Sequence, residues 1–108
     1  MAEAYQRIAA LRPANTSEQE LYEVPAVTEI VGILSICNQD ADERTVQVAH
    51  TDVTGAATGE DWLIYDHIIQ ANETIQITGI AMGAAETIRV QASVADQISF
   101  ILSGLVKT

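Results

Sequence analysis

A single cysteine, Cys37, stands in the 108 residues. An internal disulfide and a multi-cysteine metal site are therefore excluded. Within its apolar, strand-like surroundings Cys37 reads as a small buried hydrophobe, not a reactive thiol. Basic residues are scarce: five Lys and Arg face fifteen Asp and Glu, for a net charge of −10. Arg7, Arg12, Arg44, Arg89 and Lys107 are scattered among the acids. Phosphate backbones and anionic lipid surfaces call for clustered cations, so neither nucleic acid nor membrane is an expected partner. The longest apolar run, Ile30 to Cys37, is broken by Gly32 and Ser35 and falls well short of the ~20 residues that cross a bilayer. The opening, Met1 to Arg12, holds Glu3, Gln6 and Arg7 and lacks the apolar stretch of a secretion signal. A cytosolic site of synthesis or assembly is expected.

Catalytic and cofactor signatures are also missing. None of Ser35, Ser93, Ser99 and Ser103 lies in a Gly-x-Ser-x-Gly elbow. No glycine-rich phosphate loop and no Cys/His metal set occurs. The two histidines each have an acid nearby, in His50-Thr51-Asp52 and Asp66-His67. Neighbours on a strand face opposite ways, so Asp66 and His67 are not expected to touch. Asp40, Asp42 and Glu43 lack the twelve-position ligand spread and central Gly of an EF-hand loop and read as a polar turn. Glu60, Asp61 and Asp66 flank Trp62, but a glycosidase pair needs a deep sugar-sized cleft. Trp62 with Tyr65 could form a sugar platform if exposed; a tryptophan at the edge of the core is the expected reading. We expect no enzyme, no cofactor and no metal.

What is present is strand pattern. Hydrophobic residues make up 48 % of the chain, too many for a disordered acidic tail. A chain of this mass should expose roughly 5,800 Å² when folded, enough for one modest core. From Glu20 onward the apolar period is two. Leu21–Val24 is a short strand stopped by Pro25. Thr28–Cys37 is nearly continuous in apolar residues, which predicts a strand buried on both faces or central to a sheet. Arg44–His50 alternates with Val46 and Val48 inward; Thr51–Glu60 is a loop holding Gly55 and Gly59. Trp62–Ile69, Glu73–Thr78, Thr87–Ala92 and Gln97–Val106 are further strands, with Ile75 and Ile77 inward and a loop or bulge over Gly79–Ala85. Glu73-Thr74-Ile75-Gln76-Ile77 is echoed by Glu86-Thr87-Ile88-Arg89-Val90. Short strands about ten residues apart predict an all-β fold, a single antiparallel β-sandwich or jelly roll of seven or eight strands.

Residues 1–19 differ. Tyr5, Ile8, Ala9 and Leu11 would share one side of a short helix over Ala2–Leu11, ended by Arg12-Pro13. That helix is too short to stand alone. We expect an N-terminal docking arm over 1–19 attached to a sandwich domain over 20–108, the arm lying either on a partner or back on its own sandwich.

Several segments carry a resemblance: Tyr5-Gln6-Arg7-Ile8, Leu11-Arg12-Pro13-Ala14, Leu21-Tyr22-Glu23-Val24-Pro25-Ala26, Ile36-Cys37-Asn38-Gln39, Val48-Ala49-His50-Thr51-Asp52, Asp61-Trp62-Leu63-Ile64-Tyr65-Asp66 and Val90-Gln91-Ala92-Ser93. Together they resemble a group of small β-sandwich or jelly-roll virion proteins of tailed bacteriophages, described variously as decoration, cement, tail or minor structural proteins. The resemblance spans almost the whole chain and brings no catalytic residue. It implies a capsid decoration protein that binds the outer shell as a homotrimer and touches the major capsid protein or other virion proteins. Tyr5, Ile8, Leu11 and Arg12 are the expected interface residues. Removing residues 1–12 is then expected to abolish particle binding and leave a folded sandwich. A tail, baseplate or fibre module and a carbohydrate-binding adhesion module are the alternatives.

Overall fold

The computed structural model describes residues 3–52 and 56–108. Eight strands run in chain order: β1 (Glu3–Leu11), β2 (Gln19–Glu23), β3 (Glu29–Asn38), β4 (Arg44–Thr51), β5 (Trp62–Ile69), β6 (Thr74–Met82), β7 (Thr87–Ala92) and β8 (Ile98–Lys107). There is no helix among the described residues. The strands form a front sheet of order β1-β8-β3-β6 and a back sheet of order β2-β7-β4-β5, antiparallel throughout. The pairings nest: β1 with β8, β2 with β7, β3 with β6 and β4 with β5. The chain is in effect folded once between β4 and β5, and the resulting double ribbon is rolled so that alternate pairs fall in opposite sheets. This is the jelly-roll form of the β-sandwich expected from the strand pattern.

Alternation decides which side chains meet between the sheets. Leu34, Ile36, Phe100 and Leu102 from the front sheet face Val46, Val48, Ile88 and Val90 from the back sheet, all buried. Ile75 and Ile77 pack against this core as the pattern predicts. Buried polar groups are satisfied. Asn38 Nδ2 donates to the carbonyls of Asp42, Ile69 and Gln70, and its Oδ1 accepts from the Asp40 amide. One side chain thus joins the β3–β4 turn to the end of β5. The Thr51 and Thr87 hydroxyls bond to each other across β4 and β7. In the β3–β4 turn Arg44 Nε donates to Asp40 Oδ2 at 2.7 Å. That hydrogen bond, ahead of the charge attraction itself, holds the Asp40 carboxyl below its ordinary range.

Three expectations need correction. The helix over Ala2–Leu11 is a strand: Glu3–Leu11 pairs with β8 from Glu3↔Lys107 to Leu11↔Phe100 (Met1 and Ala2 lie outside the described residues). A bulge between Arg7 and Ala9 adds one residue to β1. Ile8 and Leu11, three apart, can therefore both pack on the core, and a spacing of three imitates a helix. The segment docks on its own sandwich, as a strand. Second, β6 runs on through Gly79 to Met82. The left-handed φ of 71° at Gly79 accompanies the register shift opposite Gly32 and Leu34, so of the loop or bulge expected there the structure has the bulge, and the strand continues past Thr78. Third, Cys37 is half-buried, facing Ser99 and Thr74 in the front sheet, not sealed in the core. Of the loop expected over Thr51–Glu60, residues 53–55, Gly55 among them, lie outside the described residues.

Candidate interaction surface

The outer face of an antiparallel sandwich is expected to be polar, because water wets it. The back sheet obeys over β2, β7 and β4. Its outer face carries Gln47 opposite Gln91 and Glu20 opposite Arg89. Thr16, Thr45, Gln47, Asp66, Gln91 and Ser93 line a small polar depression there. Gln47 Nε2 donates to Asp66 Oδ1, and Gln91 Nε2 to the Thr16 carbonyl.

The front sheet does not obey. Cross-strand register puts Tyr5 opposite Leu105, Leu105 opposite Val31, and Val31 opposite Ala81. This row of apolar side chains spans all four strands. Tyr5 is 85 % exposed and Val31 54 % exposed; Ile33 and Ile101 are exposed beside them. Tyr5, Val31, Ile33 and Leu105 border a shallow apolar depression together with Gly32 and Gly104. The four strands of this sheet contain only Glu3 and Glu29 as acids and Arg7 and Lys107 as bases. The whole net charge of −10 therefore lies outside them. A contiguous apolar face of this kind marks a surface made to be covered.

A second exposed apolar cluster sits on β5, the far edge of the back sheet. Leu63, Tyr65 and Ile68 are exposed there, Tyr65 to 61 % and Ile68 to 51 %. Trp62 is half-buried and meets Tyr65 edge-to-face, with ring centres 5.1 Å apart and planes at 73°. Asp66 has a left-handed φ of 49° where β5 shifts register against β4. This bulge breaks the alternation, and residues 65 to 68 are all exposed. Glu60, Asp61 and Asp66 place acids around this cluster.

The expected interface residues are only partly brought together. Tyr5 stands on the apolar front face. Ile8 and Leu11 turn inward and pack on the core. Arg12 is exposed just beyond β1, its Nη1 donating to Gln39 Oε1 at 3.3 Å. Val31, Ile33, Ile101 and Leu105 were not expected at this surface. The signal for Val31 and Ile33 was the near-continuous apolar run of β3; Ile101 and Leu105 stand in the similar run of β8, and both strands are central to the front sheet. The histidines separate. His50 is half-buried, Nε2 2.7 Å from Glu86 Oε1; His67 is exposed. Among the described residues no group of three or more His, Cys, Asp and Glu could hold a metal ion. A half-buried ion pair joins Arg89 Nε to Glu18 Oε2, whose oxygen also accepts from the Ala57 amide. It ties the segment before β2 and the described part of the β4–β5 loop to β7.

No protein-family model matches the sequence, and no curated protein matches it.

Proposed function

We propose that this protein is a structural component of a tailed-bacteriophage virion, and within it a capsid decoration protein seated on the outer shell as a homotrimer. The observation that carries the reading is the apolar, net-neutral front sheet on a molecule of net charge −10. Such a face suits a module whose work is to bury area against protein. The resemblance to small jelly-roll virion proteins points the same way. An acidic exterior suits the outside of the shell, away from packaged DNA. The mechanism is linkage: a domain that binds only the assembled shell stabilises that assembly in proportion to its occupancy. The partners are the other copies within the trimer and the major capsid protein, and Tyr5 and Arg12 are contact residues.

The test is fractionation of purified virions into heads and tails, with copies per particle counted by quantitative mass spectrometry. The protein should follow the heads at hundreds of copies. Recovery with tails at low copy number would replace this reading with the tail module. The carbohydrate reading has one observation in its favour, the exposed Tyr65 against Trp62. Tyr65 is not, however, among the residues lining the polar depression of the back sheet.

A further inference from the structure

Both exposed apolar clusters need covering, and they differ in charge. The front face has Arg7 beside its apolar row, on the outer side of β1 opposite Ser103. The β5 edge has Leu63, Tyr65 and Ile68 with Glu60, Asp61 and Asp66 along or just before the strand, and Arg44 with Glu43 beside Ile68. The two lie on different sides of the sandwich: the front face looks outward from β1, β8 and β3, while β5 closes the far edge of the other sheet.

We infer that the occupant of the front face is a second copy of this chain, and that the contact is head-to-tail: Tyr5, Val31 and Leu105 of one copy cover Leu63, Tyr65 and Ile68 of the next. Charge complementarity selects this arrangement. Two copies of a molecule with charge −10 repel on most approaches. The front face is the side where an acidic neighbour meets no opposing charge surplus, and Arg7 there faces the acids of the β5 edge. Face-to-face packing of two front sheets would leave β5 uncovered. Head-to-tail contact covers both clusters with one interface, and its repetition makes a ring when the rotation between copies closes. Four strands about 4.8 Å apart and about 30 Å long make the front face roughly 600 Å², wide enough to seat the single edge strand β5 of a neighbour. The inference rests on the proposed function only for the number three; the contact itself stands on the two patches.

Light scattering of the full chain, with two single variants, tests it. The wild type should be a trimer at micromolar concentration. Val31→Asp damages the front face, and Tyr65→Asp damages the β5 edge; both positions are exposed. Each variant alone should be a monomer with an unchanged far-ultraviolet circular dichroism spectrum. Mixed in equal amounts they should form dimers and nothing larger, because only one intact front face can meet one intact β5 edge. A monomeric wild type, or variants that keep the wild-type mass, would overturn the inference. So would a mixture that stays monomeric, and a Tyr65→Asp variant that stays associated would indicate face-to-face packing instead. The virion test is separable: a trimer found with tails overturns the decoration role and leaves the contact, while a monomer found on heads does the reverse.

Discussion

Gly104 is the residue at which the front sheet depends most on the absence of a side chain. Its φ of 153° is one that other residues rarely adopt. A Cβ built there would lie 2.3 Å from the Val31 carbonyl oxygen and 2.7 Å from the Gly32 Cα. Both are backbone atoms of the neighbouring strand, so neither can swing aside. Gly32 faces it across β3 and β8 and is itself confined, with Leu102 Cδ1 at 3.0 Å from its would-be Cβ. Gly104→Ala should therefore cost about 3 kcal/mol, from backbone strain plus displacement of β3. Gly59→Ala, with open space around it, should cost far less. Urea denaturation of the two variants checks this. Equal midpoints would mean that β3 and β8 move apart freely, and the apolar row built on their spacing would lose its rigidity.

At the scale of elements, most strands were legible because each keeps the two-residue period within itself. β4 and β7 are plain cases: Val46 and Val48, then Ile88 and Val90, alternate with polar neighbours and end up buried. The strand that misled is β1. It gains a residue at Ile8, and a bulge resets the phase on which sequence reading relies; the bulge at Gly79 hid only how far β6 runs. The apolar row was hidden for a different reason. Tyr5, Val31 and Leu105 are far apart in the chain and become neighbours only through register. No local pattern reveals register. The structure also changes what truncation would do. Removing residues 1–12 takes away β1, exposes the edge of β8 and strips Ile8 and Leu11 from the core. The truncated chain should aggregate or melt well below the intact one in a circular dichroism melt. An equally stable truncated chain would show that β1 is dispensable to the sandwich. Tyr5→Ser is the cleaner probe of binding, since Tyr5 points away from the core.

At the scale of the whole molecule, the nested topology ties both sheets to one long-range closure. The pairing of β1 with β8 brings Glu3 opposite Lys107, nearly the full length of the chain away. β2 and β7 pair across almost as wide an interval, Gln19 with Val90. Only β4 and β5 form a comparatively local pair. The front sheet cannot be complete until the chain ends meet, and the back sheet has little to bury against until the front sheet exists. Such a chain should fold slowly for its size, on the order of milliseconds to seconds. It should also unfold as one unit, because neither sheet covers its own inner face. Trp62 makes this measurable. It is the sole tryptophan and stands on β5 in the back sheet, whereas far-ultraviolet circular dichroism reports all eight strands. In urea the two signals should give the same midpoint and slope. A Trp62 transition later than the circular dichroism transition would mean that the β4–β5 half outlives the β1–β8 closure. The segment containing β1 would then behave as a separable arm after all, and loss of the front face would precede loss of the fold.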